Sequence, residues 1–200
     1  LGEHAMSVGI SGVCSSAPAY AKTLPHETVA YFETLSSGIK APIMIYNWPH
    51  GSGIEIFGEL ADRLADIENI VALKDSTPNG EQFKETTKLV VDRVRIFGNF
   101  MVPDNLDFML EHGGDGTIGG GSIFGRPDSL YWEQVWSGDL EPARAHARAN
   151  LALLEALWLP GGWAGKWGAY QSQLKAIMEM IGAPGCLLYT SDAADDLTRV

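Results

Sequence analysis

Residues Ile67–Thr77 read IENIVALKDST, and the reading of this stretch decides the fold. Ile70, Val71, Ala72 and Leu73 are apolar without alternation, the pattern of a strand covered on both faces in a parallel sheet. Lys74 ends the run, and Asp75-Ser76-Thr77-Pro78 is turn and helix-cap chemistry. A lysine is costly to bury, so on position alone it either snorkels to the rim with its stem along apolar surface or serves a chemical purpose.

Outward from this strand, apolar runs alternate with amphipathic stretches. Strands are expected at Gly12–Ser16, Pro42–Asn47, Ile70–Lys74, Val94–Gly98 and Gly116–Gly119. Helices are expected at about Pro25–Ser37 (Thr23 as cap, Gly38 closing), Ile54–Ala65, Asn79–Val91 and Pro103–His112. Beyond the last strand come only helices, about Asp128–Trp136, Leu140–Leu157 and Gly168–Ile181. Such alternation signals βα units around a parallel sheet, an α/β fold, and it suits a doubly wound sheet and part of a barrel equally.

The 200 residues are 46% hydrophobic and 20% charged, an ordinary globular composition with enough chain for one core. A formal net charge of −11 without a Lys/Arg cluster argues against a nucleic-acid partner. No apolar run spans a bilayer, and no membrane partner is expected. The opening LGEHAMSVG has no secretory pattern, and two cysteines make no disulfide framework, so a cytoplasmic setting is the default. His4, His26, His112 and His146 lack metal-ligand spacing, and no metal or other cofactor is expected. The tryptophans at 132, 136, 158, 163 and 167 read as helix packing or a subunit interface, and Cys14 reads as core.

The end of the chain, Cys186–Val200, breaks with this pattern. From Cys186 to Asp196 it resembles the in-frame translation of a transposase-type sequencing adapter, so residues 186–200 are left out of the fold reading. With no initiating methionine either, the chain is expected to be a metagenomic fragment cut at both ends.

Three strand ends line up: Tyr46-Asn47, Lys74, and the glycines after Thr117-Ile118. The carboxyl ends of strands are where α/β folds build sites. There a tyrosine carries protons, and an amine that has lost its proton attacks a ketone. Apolar walls favour the neutral amine that imine formation requires.

Four segments carry a resemblance. PIMIYNWPHGSG (Pro42–Gly53) is similar to the Y-N-x-P-x-x-x-G segment of the dihydrodipicolinate synthase/N-acetylneuraminate lyase family, and VALKDST resembles its Schiff-base strand. Tyr46 precedes Lys74 by 28 residues, and Tyr20 of SSAPAY precedes Tyr46 by 26, both as in that family. GGDGTIGGGS (Gly113–Ser122) resembles its last strand, and QLKAIMEMIGAPG (Gln173–Gly185) its C-terminal helix.

The resemblance implies a partial (β/α)8 TIM barrel, about strands four to eight, followed by C-terminal helices. Residues 1–126 would be barrel, 127–185 the helical extension and 186–200 the non-native tail. It also implies a homotetramer at full length, and a fragment that is poorly folded or inactive alone because its sheet edges are open. The implied chemistry is a class I aldolase, lyase or hydro-lyase reaction joining or splitting a 2-oxo acid, typically pyruvate, and an aldehyde. Lys74 would form the imine and Tyr46 move the proton, with Tyr20 in the relay across a subunit interface. His50, Gly51, Gly98, Ile118 and Gly119 would line the substrate. The early loop that binds the substrate carboxylate in the family falls outside this chain.

Departures from the family narrow the substrate. Gly51 stands where dihydrodipicolinate synthases usually carry an arginine, and Phe100 and Met101 stand where sialic acid lyases carry acidic residues. With Trp48, these residues point to a less hydrophilic aldehyde. Two other readings compete: a phosphosugar enzyme using Gly119–Ser122 as phosphate loop, and a family member that binds a 2-oxo acid without turnover.

Overall fold

The computed structural model describes residues 2–119, 126–159 and 165–184, so the Cys186–Val200 segment, Trp163 and the Gly120–Ser122 part of the expected phosphate loop lie outside the described residues. Two compact units divide between Ile118 and Gly119.

The first unit runs α1 (Gly2–Ser7), β1 (Val13–Ser16), α2 (Pro25–Ile39), β2 (Ile43–Asn47), α3 (Pro49–Ser52), α4 (Gly58–Ala65), β3 (Ile70–Asp75), α5 (Gly80–Val90), β4 (Arg95–Phe97) and α6 (Pro103–His112). All pairings in the sheet are parallel, and the strand order is β1-β2-β3-β4. That order settles what periodicity left open. A doubly wound sheet reverses its strand order at a switch point, whereas a barrel adds each strand beside the last. Here no reversal occurs, and successive helices pack on one another, α2 on α4, α4 on α5 and α5 on α6. The unit is a sector of a (β/α) barrel wall.

The core lies between the sheet and this helical layer. Ile45 and Leu73 face Leu64 and Val90 there, and Ile43, Ile96, Phe32 and Leu60 are buried too. β3 departs from the expected full cover: Val71 is exposed while Ile70, Ala72 and Leu73 are buried. The cause is an irregularity in pairing, because Ile43 faces Ile70 but Met44 faces Ala72, leaving Val71 without an opposite residue. The fifth expected strand shrinks to one parallel bridge between Phe97 and Gly116.

Helix ends also differ in instructive ways. α2 runs past Gly38 and closes on Lys40 in the left-handed conformation, φ 52°. At its start Thr23 is no cap; the Leu24 N–H donates to Glu27 Oε2 at 2.7 Å. α4 begins at Gly58 and not Ile54, because Asn47 holds both backbone groups of Ile56 and Phe57 is extended. α5 starts as its sequence predicts, with Asn79 Oδ1 accepting from the Gln82 N–H. α1 had no counterpart in the sequence reading.

The second unit is helical: α7 (Arg126–Ser137), α8 (Leu140–Leu157) and α9 (Tyr170–Met180). α7 packs on α8, Tyr131 is fully buried, and Gln134 meets His146 at 2.8 Å. Trp132 and Trp136 are ring neighbours at 5.7 Å, with Trp136 exposed.

Candidate active site

β2 and β3 deliver Tyr46 and Lys74 as direct cross-strand partners at their carboxyl ends. The strand period puts them on the sheet face opposite Ile45 and Leu73, which is the side turned away from the helical layer. Lys74 is half-buried, and its Nζ lies 3.6 Å from the centroid of the Tyr46 ring. The wall beside the amine is therefore a π-face. Such a face attracts an ammonium. Attack on a ketone requires the head group to leave the ring and lose its proton.

Two further layers flank this pair. Above it, Trp48 stacks on Tyr46 with ring centroids 5.8 Å apart and planes 6° from parallel. Trp48 caps the one-turn helix α3, whose backbone is tied by the Gly51 and Ser52 N–H groups donating to the Trp48 carbonyl. Gly51 has no room for a side chain, since a Cβ there would overlap the Trp48 ring. His50 is exposed on the same turn.

Behind the pair, on the helix side, Asn47 and Asp75 are also cross-strand partners, both nearly fully buried. Asn47 Nδ2 donates to Asp75 Oδ1 at 2.8 Å and to the Ile56 carbonyl at 3.2 Å, and Asn47 Oδ1 accepts from the Ile56 N–H at 2.9 Å. The Thr77 N–H donates to Asp75 Oδ1 at 2.9 Å, and the Thr77 hydroxyl donates to Glu55. Burial pushes the Asp75 carboxyl up to about 6, against the lowering effect of these two hydrogen bonds, and Glu55 adds to the rise. Sequence reading missed this node. Its only signal was that Asn47 and Asp75 follow Tyr46 and Lys74 at the same interval.

The remaining expected site residues differ in their surroundings. Tyr20 lies beyond β1, fully exposed and with φ 66°, a left-handed backbone that side chains rarely take. Gly98 is buried, and its backbone groups are engaged within the protein: its N–H by the Gly116 carbonyl, its carbonyl by Thr117 Oγ1 at 2.7 Å and the Phe100 N–H. A Cβ there would overlap Phe83, so packing alone accounts for that glycine. Ile118 and Gly119 are exposed, Gly119 in the second unit. Phe100 and Met101 do not line an open site. Both are buried, Phe100 against Phe83.

Cys14 is not core either; it is exposed on the edge strand β1. Desolvation of its sulfur pushes the thiol up, opposed by the positive charge of Lys74. A concavity lined by Glu33, Ser36, Lys40, Arg63, Asp66 and Asn69 sits at the amino ends of the strands, the end that barrels use for stability rather than chemistry. Among the described residues no three His, Cys, Asp or Glu side chains gather to hold a metal, and no helix is long and apolar enough to cross a membrane.

Comparison with known proteins agrees with this fold. The model of the dihydrodipicolinate synthetase family matches residues 1–184. The 4-hydroxy-tetrahydrodipicolinate synthase of Clostridium perfringens is 34% identical over 119 residues, 59% of this chain and 40% of that protein. A probable 2-dehydro-3-deoxy-D-pentonate aldolase of Escherichia coli is 29% identical over 211 residues, 100% of this chain and 67% of that protein. The crystal structure of dihydrodipicolinate synthase from Aquifex aeolicus superposes with a TM-score of 0.74 at 24% identity, over 98% of this chain and 66% of that one. The chain thus spans two fifths to two thirds of these proteins' lengths.

Proposed function

The chain belongs to the dihydrodipicolinate synthetase family, and from that premise we propose that the protein of full family length is a class I, Schiff-base-forming lyase or aldolase acting on pyruvate or another 2-oxo acid. The observation that carries the proposal is the pairing of Lys74 with Tyr46 at adjacent strand ends.

In the proposed reaction the neutral Lys74 amine adds to the C2 carbonyl, and uptake of a proton from solvent with loss of water gives an iminium ion, the proton being given back at the final hydrolysis. That cation is an electron sink, so a C3–H bond breaks and leaves an enamine. Tyr46 passes the released proton toward the aldehyde oxygen as C3 bonds to the aldehyde carbon. Water then hydrolyses the iminium and returns the free amine. Cleavage runs the same steps in reverse. Tyr20, exposed and held in a strained backbone, is proposed to complete the relay from a neighbouring subunit of a homotetramer. His50 and Gly51 are proposed to border the aldehyde, and Ile118 and Gly119 the oxo acid. The division into barrel (1–126) and helical extension (127–185), and a cytoplasmic setting, belong to the same proposal.

The test uses the protein extended to full family length and freed of residues 186–200. Incubation with pyruvate, borohydride reduction and peptide mass spectrometry should place a reduced adduct on Lys74, absent in Lys74→Arg. Well-folded protein that forms no adduct with pyruvate or a longer 2-oxo acid would overturn the proposal.

A further inference from the structure

The Schiff-base reading leaves the second substrate open, and the turn after β2 narrows it. We infer that Trp48, seated over the side-chain-free Gly51, selects the acceptor: an uncharged aldehyde with a flat aromatic or C–H-rich face, in preference to one bearing its own carboxylate. The inference rests on Lys74 and Tyr46 acting as proposed above.

Three observations carry it. Trp48 adjoins the reacting pair: Nζ of Lys74 touches the Tyr46 ring, and that ring stacks on Trp48. On this inference an acceptor that meets an enamine on Lys74 beside Tyr46 lies next to the indole. Trp48 also remains 43% exposed after stacking, so indole is available to a ligand. An indole face holds aromatic rings and C–H bonds by dispersion and quadrupole attraction, and it offers a carboxylate nothing.

Charge around the turn agrees. Recognition of a carboxylate is done best by a guanidinium fork. Position 51 cannot supply one while Trp48 keeps its place, since even a Cβ there would overlap the ring. Of the three arginines of this unit, Arg93 is engaged by Asp62 and Asp66, Arg95 by Asp115, and Arg63 lines the concavity at the amino ends of the strands. Lys22 has its stem beside Gly53, and the Glu55 carboxylate on the same loop opposes it in sign. An added carboxylate would therefore exchange water for a mixed field.

The experiment compares benzaldehyde, butyraldehyde and succinic semialdehyde as acceptors with pyruvate, using the full-length enzyme. Rates are counted per Lys74 that pyruvate and borohydride can label, so misfolded protein does not enter. The expected result is a higher kcat/KM for the two neutral aldehydes than for succinic semialdehyde. Trp48→Ala should shrink that ratio about tenfold, mainly through KM, and Trp48→Phe should restore most of it. A preference for succinic semialdehyde, above all one abolished by Lys22→Met, overturns the inference. So does a Trp48→Ala enzyme whose three rates fall by the same factor, or a labelled enzyme that consumes no aldehyde. Failure of pyruvate to label the parent enzyme at all overturns the Schiff-base reading, and this assignment with it.

Discussion

The Lys74 amine rests on the face of Tyr46, 3.6 Å from the ring centroid, and not beside its hydroxyl. The ring and the hydroxyl can thus be separated by mutation. Tyr46→Phe keeps the π-face and removes the proton carrier. Borohydride trapping of pyruvate on Lys74 should persist in this variant, while turnover falls by about 10²–10⁴, the usual contribution of a positioned acid–base group. Trapping and turnover lost together would show the hydroxyl to be needed already for imine formation.

Asn47 holds Asp75 on one strand and Ile56 on the returning loop, and every polar atom of its side chain is engaged. Asn47→Ala strips the partner from a buried carboxyl and from a buried backbone N–H and carbonyl. Asp75 keeps the Thr77 N–H, and the two orphaned Ile56 groups cost about 1–3 kcal/mol each, so a loss of about 2–6 kcal/mol is expected in urea unfolding. A loss below about 1 kcal/mol would mean that water replaces the side chain.

Much of this was legible in the chain. Lys74 stood out because an unbroken apolar strand ended on a charge, and Tyr46 because it ended the strand before, at an interval that matches the family resemblance. Phe100 and Met101 were misjudged since an apolar residue after a glycine looks alike whether it lines a pocket or fills the core. Burial behind α5, against Phe83, is a tertiary fact. Gly38 looked like a helix stop, but propensity yielded to packing of Ser36, whose side chain and carbonyl accept from Asn69 Nδ2. The Asn47–Asp75 node needed the strand register, which composition does not encode.

Burial raises the Asp75 carboxyl from 3.8 to about 6, so its protonated form is the one the fold prefers. The sign follows: this contribution to stability is fully present below about pH 4 and is lost as pH rises through 6, a swing of about 3 kcal/mol. Asp75→Asn keeps the acceptor oxygen that Asn47 and Thr77 use and removes the titration. Relative to the parent it should gain stability between pH 4 and 7, read as a growing difference in urea midpoint. A constant difference across that range would place the titration elsewhere.

Gly98 owes its identity to Phe83, whose ring occupies the space a Cβ would take. Gly98→Ala should lose about 1–3 kcal/mol by overpacking. Phe83→Leu in the same chain should recover part of that loss, so the two changes will not add. Full additivity in a double-mutant cycle would show that backbone strain, not the ring, excludes alanine.

Tyr20 combines a left-handed backbone, φ 66°, with a side chain wholly in solvent. Among the described residues no hydrogen bond or ring contact of the Tyr20 side chain offsets that conformation, which disfavours a residue bearing a Cβ by about 1–2 kcal/mol. Glycine takes the same φ freely but gives up more freedom on folding. Tyr20→Gly should therefore leave the subunit as stable or up to about 1 kcal/mol more stable, while lowering turnover if the phenol serves a neighbouring site. Tyr20→Phe separates the two roles: it retains the strain, so its stability should match the parent, and it lacks the hydroxyl, so its turnover should fall with that of Tyr20→Gly. Equal turnover in Tyr20→Phe and the parent would remove Tyr20 from the relay and leave its strained backbone without a catalytic explanation.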